Sequence, residues 1–156
     1  VFIVCIRTDV LKSSFKFPPE IPLTKRASSL VDTSLHGNID TLTNFEYNNL
    51  NTHRRDMLEK KGADIMKDYY FFDIGATASF GKPMKEIVPT LKATRSNYYI
   101  TKLCRKLTTS EIQAVQGFPQ LDIVVSESQY QKQLGNSVCV PLLTILFKEI
   151  LNAVKF

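Results

Sequence analysis

The chain has 156 residues, enough for one domain or for parts of two small ones. Apolar residues make up 44% and charged residues 22%, which excludes a disordered tail, a collagen and a coiled-coil rod. Twenty basic residues against 15 acidic ones give a net charge of +5, compatible with a nucleic-acid partner but not diagnostic of one.

Val1 to Ile6 is a continuous apolar run that predicts a strand buried on both faces of a parallel or mixed sheet. A chain opening in mid-strand, on Val, reads as a piece of something longer. Pro18, Pro19 and Pro22 make Phe15 to Pro22 an extended connector. From Leu23 to about Lys102 the sequence is polar and irregular, and Thr41 to Thr52 shows no clear period. Arg54 to Lys67 predicts a short helix interrupted at Gly62, and Tyr69 to Gly75 predicts a strand. Two further strands are expected near Ile87 to Thr94 and Tyr98 to Leu103.

The last third is more regular. Thr108 and Glu111 have the spacing of a capping box, opening a helix that ends at Gly117 before Phe118-Pro119. Ser126-x-x-Gln129 can cap another short turn. Gly135-Asn136-Ser137 then leads into a helix from about Val138 to Val154, with Pro141 in its first turn. Leu142, Leu143, Leu146, Ile150 and Val154 recur at helical spacing, with Lys148 and Asn152 facing water.

Cys5, Cys104 and Cys139 form no CxxC pair and lie far from His36 and His53, so no metal site is expected. Free thiols fit a reducing compartment. No run reaches the roughly 18 apolar residues of a membrane span, so no membrane partner is expected. The charge is localised: Lys82 to Lys106 holds seven basic residues and one acid, a net +6, while the rest of the chain is −1. Such a segment suits phosphate contacts, or equally a solvated hairpin edge.

Two segments are more specific. Arg105 to Pro119 reads R-K-L-T-T-S-E-I-Q-A-V-Q-G-F-P, and Tyr130 to Pro141 reads Y-Q-K-Q-L-G-N-S-V-C-V-P. Together they resemble the last two motifs of the cytosine-5 DNA methyltransferases, in the right order and with the usual short gap. Val1 to Asp9 resembles the strand after that family's paired-arginine motif, and Pro89 to Ala93 resembles the Thr-Leu element of its target recognition domain. The Gly-rich cofactor motif, the Pro-Cys nucleophile loop and the Glu-Asn-Val motif have no counterpart here. No proline precedes any of the three cysteines, and Cys104, although beside Arg105 and Lys106, reads as structural.

The resemblance implies a mixed α/β fold. A partial doubly wound catalytic domain (residues 1–22, and 130–156 with the closing helix) would flank a small, mostly β, irregular recognition domain (23–104), joined by the motif segment and hinge (105–129). It implies transfer of a methyl group from S-adenosylmethionine to cytosine in double-stranded DNA, in a bacterial cytoplasm, with the catalytic groups supplied by an N-terminal portion. Thr90 and Leu91 would lie near the flipped nucleotide, and Asn136, Ser137 and Val138 would help wall the cofactor pocket. Arg105, Thr108, Glu111, Gly117, Phe118, Pro119 and Gly135 would be architectural. Lys92, Arg95, Tyr98 and Lys102 are candidate DNA contacts from charge and position alone. The alternatives are a non-catalytic recognition subunit of a split enzyme, a tRNA methyltransferase of the same superfamily, and a protein-interaction module.

Overall fold

The computed structural model describes residues 2–22, 24–94 and 97–155. Four short strands, β1 (Tyr70–Asp73), β2 (Met84–Lys85), β3 (Tyr98–Ile100) and β4 (Arg105–Lys106), form an antiparallel sheet in the order β2-β1-β3-β4. Phe71 pairs with Ile100 and Asp73 with Tyr98, and Ile100 pairs with Arg105 across the last hairpin. The fold is thus mixed helix and small sheet, as an α/β fragment should be.

Strand alternation sends side chains to opposite faces. Tyr70, Phe72 and Tyr99 pack with Leu50, Ile65 and Ile74 beneath α1 (Asn44–Lys61). Phe71, Tyr98 and Ile100 pack with Leu103, Leu107, Ile112 and Leu134 on the other face, under α2 (Thr109–Val115) and α3 (Glu127–Asn136). The sheet is therefore covered on both sides, which explains why all four residues of β1 are buried.

Helix α1 begins where the sequence shows no period. Its buried face is Glu46, Asn49, Leu50 and His53, helically spaced but mostly polar. Thr43 caps it with a full capping box to Glu46, and Gly62 ends it at φ 63° in the left-handed region. The box of Thr108 and Glu111 forms as expected at α2, and Gly117 adopts φ 76° just beyond that helix.

Other expectations are corrected. Residues 2–6 form no strand and are largely exposed, because no neighbouring strand among the described residues pairs with them; Val1 lies outside the described residues. The strand expected at Ile87 to Thr94 is a loop, and the ladder instead uses Met84 and Lys85. Ser126 opens a ten-residue helix rather than a turn. Gly135 and Asn136 are the last residues of that helix, not the lead-in to the next. The closing helix, α4 (Val140–Ala153), starts after Cys139 with Pro141 in its first turn.

Residues 127–153 are long and apolar enough by composition to cross a membrane. Ser137 (φ −79°, ψ 170°) and Cys139 (φ −53°, ψ 118°) nonetheless leave the helical region and divide the span into two helices. Only Leu146 and Ala153 of α4 are buried. Lys148 and Asn152 face water as expected, but so do Leu142, Phe147 and Leu151. The end of α4 is tied to residues 10–13 through Lys12 N–H to Ala153 O at 2.8 Å and Lys155 N–H to Val10 O at 2.9 Å.

Candidate nucleic-acid interface

The loop between β2 and β3 carries Thr90, Leu91 and Lys92. These residues belong to none of the four strands, and side chains and a neighbouring helix hold the loop. The Tyr98 hydroxyl accepts from Lys92 N–H at 2.6 Å and donates to Thr90 O at 3.2 Å. Leu91 packs against the core cluster that includes Phe71 and Leu134. Thr90 and Lys92 are left exposed. Tyr98 itself is 1% exposed, so its assignment as a DNA contact is corrected: it is a positioning residue, buried because the loop folds over it. Arg95 lies outside the described residues.

On its inner side the same loop meets α3. A Cβ on Gly135 would lie 2.4 Å from Lys92 C and 2.5 Å from Ala93 N, so only glycine permits this backbone-to-backbone approach. Gly135 thereby gains a physical role: it seats the loop on the helix that ends in Asn136.

The two sequence motifs are also packed together. Val140 N–H donates to Gln116 O at 2.9 Å, and Gln116 Nε2 donates to Leu134 O at 2.9 Å. A Cβ on Gly117 would meet Pro141 Cδ at 2.4 Å. Phe118 packs against the core, and Pro119 O accepts from Gln113 Nε2.

The basic segment is not a bare patch. Lys85 pairs with Asp68 at 2.8 Å, Lys92 with Asp73 at 3.7 Å, Arg105 with Glu111 at 2.7 Å and Lys106 with Glu46 at 2.6 Å. Lys102 sits over the Tyr69 ring at 4.6 Å, a cation–π contact at an exposed site. Lys82 and Lys102 form no ion pair among the described residues. Among the described residues the segment's excess charge thus concentrates at Lys82 and Lys102, and Lys92, half-exposed, is only loosely paired with Asp73. Asp68 and Glu46, distant in sequence, and the nearby Glu111 offset Lys85, Lys106 and Arg105.

Arg105 and Glu111 are nearly buried, with side chains 11% and 7% exposed. The guanidinium holds both carboxylate oxygens and donates to Asp32 O and Leu35 O, while Glu111 also accepts from Asp32 N–H at 2.8 Å. Burial alone would raise the Glu111 pKa, but the Arg105 bonds and backbone N–H groups outweigh it and hold the carboxyl below its usual range. Cys104 lies in the tight turn between β3 and β4 at φ 52°, its Sγ turned to Thr101 O at 3.5 Å.

At the α3–α4 junction, Asn136 and Val138 expose their side chains. The Ser137 hydroxyl donates to Leu134 O at 2.6 Å and keeps acceptor lone pairs. Beside it, Phe118, Leu121, Tyr130 and Ser137 line a cavity of about 220 Å³. Of Asn136, Ser137 and Val138, only Ser137 lines this cavity. No cluster of three or more metal-ligating side chains occurs among the described residues.

The C-5 cytosine-specific DNA methylase model matches residues 1–152. The type II methyltransferase M.MspI of Moraxella sp is 44% identical over 52 residues, which is 33% of this chain and 12% of that protein. The type II methyltransferase M.NlaX of Neisseria lactamica is 41% identical over 52 residues, 33% of this chain and 17% of that protein. The matched stretch is a small part of either relative's length. No solved structure matches the chain. The motif pair, packed as one unit beneath the 89–93 loop, agrees with the family match over nearly the whole chain: it belongs to the C-5 cytosine-specific DNA methylases.

Proposed function

We propose that this chain is the DNA-recognition and C-terminal portion of a DNA cytosine-5 methyltransferase that uses S-adenosylmethionine. The observation that carries this reading is the seating of Lys92 and Ala93 on Gly135. It joins the loop that resembles the family's Thr-Leu element to the turn that resembles its cofactor-wall motif. A nucleotide held by Thr90 and a cofactor held by Asn136, Ser137 and Val138 would then be positioned by one rigid unit. Lys82, Lys92 and Lys102 would meet phosphates, and Leu91 would anchor the loop from below. The cofactor, when bound, supplies the methyl group; this chain's part is to orient DNA and to close one side of the pocket.

Residues 24–104 would be the recognition domain, and α4 with residues 2–22 would rejoin the catalytic domain. Phe147 and Leu151 of α4, one turn apart and exposed at 55% and 54%, form the apolar side that an N-terminal catalytic portion would cover. The reaction requires a thiolate and a base on that portion.

The test is transfer of labelled methyl groups to duplex DNA. The chain alone is expected to be inactive, and mixing with a catalytic portion bearing the Pro-Cys loop is expected to produce transfer. Transfer by the chain alone, or a mixture that never binds or methylates DNA, would contradict the proposal.

A further inference from the structure

The loop of Thr90 and Lys92 borders a cleft of about 470 Å³, also lined by Asp73, Phe80, Lys82 and Met84. Its mouth and floor differ sharply. Phe80 is 85% exposed and Lys82 is exposed, whereas Asp73 is 3% exposed. Asp73 Oδ1 accepts from Gly75 N–H at 3.2 Å, which fixes the carboxylate in the turn after β1. Asp73 Oδ2 is buried and has no hydrogen-bond partner among the described residues. Lys92 Nζ stands 3.7 Å away on a half-exposed side chain, offsetting charge without donating a hydrogen bond.

A buried carboxylate oxygen without a donor is costly unless something completes it. Here Asp73 lines the cleft whose rim carries Lys82 and Lys92. From this we infer that Asp73 is a specificity-determining residue, whose Oδ2 accepts a hydrogen bond from the exocyclic amino group of a base, cytosine N4 or adenine N6, presented in the major groove. The inference rests on the proposed DNA-recognition role. In the free protein Lys92 screens the carboxylate. On DNA the ammonium swings to a backbone phosphate and uncovers Oδ2. Lys82 takes a second phosphate, and Phe80 lies against the sugar or base edge. A base pair offering only an acceptor there leaves Asp73 desolvated and unpaired, which is how a single carboxylate discriminates.

Asp73→Asn is the informative change. The amide oxygen keeps the bond to Gly75 N–H, while the group facing the cleft turns from acceptor to donor. Binding of wild-type and D73N chains is measured on a randomised duplex pool, with thermal unfolding as a check on the fold. The expected result is loss of preference for cytosine or adenine at one position, by roughly tenfold or more, with the other positions unchanged. Lys82→Ala is expected to weaken all sequences alike and to lower the salt slope by about one.

A second arm leaves the protein intact. Wild-type chain is tested on duplexes in which single cytosines become 2-pyrimidinone or single adenines become purine, each lacking the amino group. One position is expected to lose roughly tenfold in affinity, and the base affected identifies which amino group is read. Unchanged base preference in D73N with DNA binding retained, or no analogue position that weakens binding, overturns the assignment. Absence of any duplex binding by the wild-type chain would overturn the recognition role as well.

Discussion

Gly135 and Lys92 are 43 residues apart in the chain, yet their backbones are so close that a methyl group on Gly135 would lie 2.4 Å from the Lys92 carbonyl carbon. This contact joins the end of α3 to the exposed loop. Gly135→Ala is expected to destabilise the chain by about 1–3 kcal/mol, the usual cost of overpacking. Urea unfolding measures it, and a loss below 0.5 kcal/mol, in the range of ordinary surface changes, would show that the loop yields easily.

Tyr98 holds the same loop from beneath. Tyr98→Phe removes the hydroxyl that serves Lys92 N–H and Thr90 O while keeping the packed ring. The expected cost is about 1–2 kcal/mol. Duplex affinity is expected to fall with no change in its salt dependence, since no charge is removed; an altered salt slope would place Tyr98 at the interface itself.

Arg105→Ala would strand Glu111 beside Asp32 and open the 32–35 turn, at an expected cost of about 3–5 kcal/mol. Arg105→Lys is expected to recover only part of this, because an ammonium cannot reproduce the two-oxygen contact. Full recovery in equilibrium unfolding would mean that charge alone suffices.

Stability is expected to fall with pH in two stages. Burial against Phe72, with Lys82 nearby and only partly opposed by Asp56, lowers the His53 pKa from its ordinary 6.5. The unfolded chain therefore takes up the proton first, and stability drops as pH falls through about 6.5. Burial works to raise Glu46 and Glu111, but their partners Lys106 and Arg105 leave both below the ordinary 4.5. Their contribution is complete above that value and is lost as pH falls from it through the lower folded-state values. Urea midpoints at pH 7.5, 5.5 and 4 should decrease in that order; a midpoint that rises on acidification would contradict both assignments.

Much of the second half was legible because its signals are local. The Thr108–Glu111 box, Gly117 and Pro141 each act within a turn or two of themselves. The second half of α1, from Arg54 to its end at Gly62, was legible, but its first half was hidden because three of its four buried positions are Glu46, Asn49 and His53, so hydrophobic periodicity was silent; Thr43-x-x-Glu46 was the signal available. The extent of α3 was missed because Gly135 reads as a lead-in to the closing helix, and the approach of Lys92 explains a glycine inside α3. The charge map was blurred by partners distant in sequence, such as Glu46 on Lys106. Asp73 carried no signal at all, since its significance lies in a missing donor rather than in its type.

The central claim is that this chain holds DNA. Fluorescence anisotropy with a labelled duplex across a salt series tests it most directly. The account predicts binding whose log affinity falls linearly with log salt, with a slope lowered by about one for each of Lys82, Lys92 and Lys102 replaced by Ala. No duplex binding at low salt, or binding indifferent both to salt and to the loss of these lysines, would contradict it.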